Sequence, residues 1–146
     1  MQLAFKQAEL SYLLGEVPVG AVILDKQGNV IAKGHNRTII DQDPTAHAEV
    51  VVLRKAALIM GNHRLPGFIL YVTLEPCLMC IGAISQARLD RVIFGTFDSK
   101  GQSTFNSQFN LNKYLNHKVS MIGGILSEDC GKILHQFFHN LRYNNQ

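Results

Sequence analysis

Along the chain the spacing of apolar positions switches between the helical period near 3.6 and the strand period of 2, and these switches mark out the elements. Residues 2–14 read as a helix stopped by Gly15. Val17–Leu24 and Val30–Gly34 are two apolar runs around Asp25-Lys-Gln-Gly-Asn29, the signal of a β-hairpin. Asn36–Asp43 is polar and loop-like, and Asp43-Pro44 then reads as a helix start, with Asp as the N-cap and Pro in the first helical position. Ala46, Val50, Leu53, Ala57 and Met60 follow at steps of 4, 3, 4 and 3, which predicts one buried stripe before Gly61-Asn62 ends the helix.

Phe68–Leu74 is an almost unbroken apolar run, as expected of an interior strand covered on both faces. Pro76 reads as the start of another helix, reaching about Ala87, and Arg91–Gly95 as a short strand. Residues 96–118, rich in Gly, Ser, Asn and Gln, predict loop and irregular helix. Val119–Ile122 is a last strand, and Ser127 caps a final helix with an apolar face of Ile133, Leu134, Phe137, Phe138 and Leu141. The order α, β-hairpin, α, β, α, β, loop, β, α implies helices on both sides of one sheet. The expected fold is a single α/β domain over residues 1–146, a three-layer α/β/α sandwich around a central mixed sheet of about five strands.

With 146 residues, 47% hydrophobic and 17% charged, the chain is long enough for one good core and is not of the disordered class. It has no apolar stretch near the ~20 residues of a membrane span and no signal-peptide pattern, so a soluble cytoplasmic protein with no membrane contact is expected. The net charge of +3 tolerates a polyanionic partner without requiring one. Three cysteines speak against a disulfide framework. Cys130 lies among apolar helix positions and reads as a core cysteine.

The remaining two cysteines carry the chemistry. Cys77 and Cys80 stand one helical turn apart at a helix start, where the dipole and unpaired N–H groups favour thiolates. His47, at the other helix start, supplies a third donor. Two thiolates and one imidazole suit zinc, and three protein ligands leave a fourth position open, the mark of a catalytic site. A structural zinc would want a fourth Cys or His at short spacing, and a redox pair explains neither His47 nor Glu49. Residues i and i+2 lie about 200° apart on a helix. Glu49 therefore reaches the same spot as His47 only if the helix turns its N-terminal end toward the site.

His47-Ala-Glu49 and Pro76-Cys-Leu-Met-Cys80 together make up the H-x-E…P-C-x-x-C signature of zinc-dependent nucleobase deaminases. The longer context narrows this: Glu16-Val-Pro-Val-Gly-Ala21, Asn36-Arg37, Asp43-Pro-Thr-Ala-His-Ala-Glu49, Leu70 to Cys80, Arg91-Val-Ile-Phe-Gly95 and Phe137-Phe138. On these residues the chain closely resembles the bacterial tRNA-specific adenosine deaminases over nearly its whole length. The resemblance implies a cytidine deaminase-like fold and hydrolytic deamination of adenosine to inosine at the wobble position of a tRNA anticodon. It implies Zn2+ on His47, Cys77 and Cys80, Glu49 as the proton shuttle, and Asn36, Ala48, Asp98 and Lys100 at the substrate. It also implies a homodimer and, as partner, the anticodon stem-loop of an arginine tRNA with an ACG anticodon. Basic residues Lys33, Arg37, Arg64 and Lys100 are candidates for phosphate contacts. The segment 99–109 departs from the family by lacking its Gly-Ala-rich stretch. Two rival readings stay open: a zinc deaminase of a free base such as guanine or cytosine, and a non-catalytic zinc-containing domain that binds RNA, for which Glu49 would have no task.

Overall fold

The computed structural model describes residues 1–99 and 113–143. In it the elements follow the expected order: α1 (Gln2–Leu13), β1 (Gly20–Leu24), β2 (Val30–His35), α2 (Ala48–Met60), β3 (Ile69–Leu74), α3 (Leu78–Gln86), β4 (Arg91–Thr96), β5 (Ser120–Ile122) and α4 (Ser127–Tyr143). The five strands form one sheet in the order β2-β1-β3-β4-β5. β1 is antiparallel to both its neighbours, while β3, β4 and β5 run parallel. It follows that β2, β3, β4 and β5 all point the same way, and their C-terminal ends gather at one edge of the sheet.

α1 and α4 pack against each other and on one face of the sheet, while α2 packs on the other with α3 against it, giving the three layers. β3 is covered on both faces, which is why its sequence does not alternate. Leu70 pairs with Val92 and Val72 with Phe94, and all four are fully buried in the core. The hairpin turns where expected: Asp25 Oδ1 accepts the N–H groups of Gln27 and Asn29, both at 2.9 Å, and Gly28 takes a φ of 85°.

Several boundaries differ from the reading of the sequence, each for a local reason. Asp43-Pro44 does not open α2. Asp43 Oδ1 instead accepts the backbone N–H (2.8 Å) and hydroxyl (2.7 Å) of Thr45, a turn that competes with helix for the same residues. The helix begins five residues after Asp43, with His47 as its N-cap. Its fully buried line is Ala48, Val52 and Ala56 rather than the expected stripe; Val50 and Leu53 are buried, Ala57 is partly so, and Met60 is exposed. α3 likewise starts two residues after Pro76, with Cys77 as N-cap. At α4, Leu126 rather than Ser127 gives its carbonyl to the first turn, accepting Cys130 N–H at 3.0 Å, and Leu141 is exposed. Cys130 is fully buried, as expected. The loop expected over 96–118 falls largely outside the described residues.

Candidate active site

The strand ends at one edge of the sheet deliver every element of the site. β2 ends at His35, just before Asn36, and the loop that follows returns to His47, the N-cap of α2. β3 leads through Glu75 and Pro76 to Cys77, which begins α3. His47 and Cys77 are both N-caps in extended conformation, and neither makes the usual side-chain bond to its own helix. Their side chains turn toward each other instead. His47 Nδ1 lies 3.6 Å from Cys77 Sγ and 3.5 Å from Cys80 Sγ, and the three donor atoms lie within 4.8 Å of one another.

These distances test whether the trio fits a metal. Bonds of roughly 2.3 Å to sulfur and 2.0–2.1 Å to nitrogen at tetrahedral angles place a nitrogen and a sulfur about 3.6 Å apart. The two measured edges match that figure, so the trio already has the size of one face of a zinc tetrahedron. The donor chemistry agrees. Hydrogen bonding from Cys80 and His47 holds the Cys77 thiol down at about 4, so it is a thiolate at neutral pH. The same bond to Cys77, together with burial, pushes the Cys80 thiol up. His47 is pushed up chiefly by its bond to Cys77. A cation bound among these groups displaces the protons they share.

Glu49 is the second residue of α2 and is 4% exposed. Burial pushes its carboxyl up to about 7, against the lowering pull of its own backbone N–H and of His47 and Cys80 beside it. It therefore sits against the trio without belonging to it. The N-terminal end of α2 faces the site, and this is how residues two apart reach one place.

Asn36 closes the other side. Its Oδ1 accepts the N–H of Ala48 at 2.8 Å and so caps α2 from the end of β2. Ala48, expected at the substrate, is fully buried with this donor committed inside the protein. The bond orients the Asn36 side chain. Asp98 is tied to the segment that leads into Cys77. Its backbone N–H goes to Glu75 Oε2 at 3.0 Å, and it lines a groove of about 780 Å³ between the sheet edge and α4 with Thr96, Phe97, Leu134 and Phe138. Lys100 lies outside the described residues, as does nearly all of the divergent 99–109 segment. Of the basic candidates, Arg37 is paired with Asp41 at 2.7 Å, while Lys33 and Arg64 are exposed.

Two buried carboxylates had not been singled out. Glu75 ties down the 96–98 segment, and Glu16 accepts the N–H groups of Ile39 and Ile40 and the hydroxyl of Thr38. The only sequence signal for either was its place in an apolar motif.

Comparison with known proteins fits this geometry. Residues 1–96 match the cytidine and deoxycytidylate deaminase zinc-binding region. The tRNA-specific adenosine deaminase of Haemophilus influenzae is 42% identical over 144 residues, covering 97% of this chain and 83% of that protein. A solved structure from work on A-to-I editing by tRNA:A34 deaminases at the wobble position is 40% identical, with a TM-score of 0.86 over 92% of this chain and 97% of that one. A guanine deaminase from Bacillus subtilis is 30% identical with a TM-score of 0.64, covering 95% of this chain and 90% of that one.

Proposed function

Because the chain belongs to the zinc-binding cytidine and deoxycytidylate deaminase family, and within it to the tRNA-specific adenosine deaminases, we propose that it converts adenosine to inosine at the wobble position of a tRNA anticodon. The observation that carries the reading is the convergence of His47, Cys77 and Cys80 at two helix N-termini, with the buried carboxyl of Glu49 against Cys80.

His47, Cys77 and Cys80 would hold zinc, which would supply a water made acidic enough to attack, its pKa lowered from ~15.7 toward ~7. Glu49 takes the proton from the attacking water and returns protons to the ring nitrogen and to the departing amine at C6. A carboxyl raised toward neutrality is suited to both halves of that task. Water and adenosine give ammonia and inosine, so the protons balance with one residue as carrier. Asn36 presents its Nδ2 as a donor to the nucleotide, since Oδ1 is held by Ala48. A stacked base cannot reach the buried trio, so the target is splayed out of an unpaired loop. Asp98 and Lys100 serve the nucleotides beside it.

The protein works as a homodimer in the cytoplasm. Leu58, Ile59 and Met60 of α2 and Leu78 and Met79 of α3 are exposed, and a second copy covering them would remove that apolar surface from water. The resemblance to the family singles out an arginine tRNA with an ACG anticodon as substrate. The test is an anticodon stem-loop with one adenosine. Zinc-loaded protein should yield inosine when the adenosine stands at the wobble position and little when it is moved by one nucleotide. Equal yields at both positions would defeat the wobble assignment.

A further inference from the structure

The loop from Arg37 to Thr45 joins two residues of the site, Asn36 and His47, and its polar side chains are tied down within the protein while two isoleucines are left on its surface. Every polar side chain in it has a partner in the protein. Arg37 donates two hydrogen bonds to Asp41, at 2.9 and 2.7 Å. Gln42 donates to the Ile39 carbonyl at 2.6 Å. Asp43 accepts from Thr45 and from Arg54. Beneath them lies Glu16, fully buried, whose Oε1 accepts the N–H groups of Ile39 and Ile40 at 2.8 Å each and whose Oε2 accepts the Thr38 hydroxyl at 3.2 Å. Held at this clamp, Ile39 is 61% exposed and Ile40 44% exposed.

A single exposed isoleucine is ordinary. Two in succession are not, when a desolvated carboxylate is used to fix the backbone N–H of both. Both are β-branched and stiff at χ1, so the side chains are held as firmly as the backbone, and little ordering is left to do when something binds. Resting on the tRNA reading above, we infer that Ile39 and Ile40 form a preformed apolar lip that packs against the face of an unpaired nucleobase flanking the target adenosine, with Glu16 as the positioning residue that presents them. The lip follows Asn36 by three residues, and the Arg37 N–H bonded to the Ala46 carbonyl at 2.9 Å brings the start of the loop back beside His47, so the loop that carries the lip adjoins both residues. The apolar residues assigned above to the dimer are on α2 and α3 instead. Unpaired bases offer apolar faces of the size two isoleucines cover, and such packing is tolerant of base identity.

The test uses three stem-loop RNAs: intact, abasic on the 5′ side of the target, and abasic on the 3′ side. On intact RNA the Ile39→Ala/Ile40→Ala double variant should raise KM about tenfold while keeping full zinc content. On one of the two abasic RNAs that difference should disappear, which identifies the base the lip touches. Glu16→Ala should raise KM in the same way. Glu16→Gln should restore it, because its amide oxygen still accepts the two N–H groups and its NH2 donates to Thr38 Oγ1. The inference is overturned if the double variant keeps the wild-type KM, if its loss is unchanged on both abasic RNAs, or if it sediments as a monomer where the wild type is a dimer, which would give the lip to a second copy. Wild-type protein that yields no inosine from the intact RNA would instead remove the tRNA reading itself, and the lip with it.

Discussion

The side-chain oxygen of Asn36 accepts the backbone N–H of Ala48 at 2.8 Å. The bond caps α2 from another element and leaves the His47 side chain, at the N-cap itself, free to turn to the cysteines. It also fixes the Asn36 amide with nitrogen outward. Asn36→Asp keeps the acceptor and removes that donor, so it should fold as stably as wild type and lose ten- to a hundredfold in kcat/KM on the stem-loop. Asn36→Ala removes both and should lose about 1 kcal/mol of stability as well, the usual worth of a cap. Thermal unfolding and kinetics on the two variants separate the roles.

His47→Ala, Cys77→Ala and Cys80→Ala should each lose most of the zinc, read by elemental analysis of dialysed protein. All three should also unfold at lower temperature, because metal binding is coupled to folding. Full zinc in any of them would remove that residue from the ligand set.

Glu49→Gln should keep zinc and fold and lose at least a thousandfold in single-turnover rate. One positioned proton-transfer group is worth roughly 10² to 10⁴, and this carboxyl serves several transfers. Removing a buried carboxyl that burial has already raised to about 7 should not lower the melting temperature at pH 7. A variant that retained a tenth of the rate would show that another group moves the protons.

The sequence showed the order of the elements well, because its period switches where the structure changes from helix to strand. The runs that became β3 and α3 were legible for the same reason. The start of α2 was not. Asp43-Pro44 satisfies the rules for a helix cap and for a side-chain turn equally, and only the bonds to Thr45 decide between them. The group that could hold a metal was legible because His47 and Cys77 each cap a helix and Cys80 follows one turn later. The cap from Asn36 to Ala48 spans 12 residues, the Glu16 clamp 22 to 24 and the Glu75 clamp 23, so each depends on the assembled sheet edge rather than on local pattern.

Cys130 is packed against Gly95, where an added Cβ would lie 2.6 Å from its sulfur, and burial raises its thiol to about 11. A thiol raised on folding contributes stability that is complete below its unfolded value near 9 and is lost as pH rises toward 11. Native protein should therefore resist thiol reagents at Cys130 at pH 8. Its unfolding free energy should fall between pH 9 and 11 by more than that of Cys130→Ala. Parallel curves for the two would show that Cys130 is not the group that titrates.

Action of the His47, Cys77 and Cys80 site on adenosine held in an RNA loop is the proposal on which the other roles depend. It is tested most directly by competition in one tube, with zinc-loaded protein, the wobble-adenosine stem-loop, and free guanine, cytosine and adenosine, followed by quantifying inosine in the RNA and the deaminated free products. The stem-loop should show at least a hundredfold higher kcat/KM than any free substrate, since binding energy from the loop holds C6 in place for attack. Rapid turnover of guanine or cytosine with an untouched stem-loop would contradict it and leave a free-base deaminase in its place.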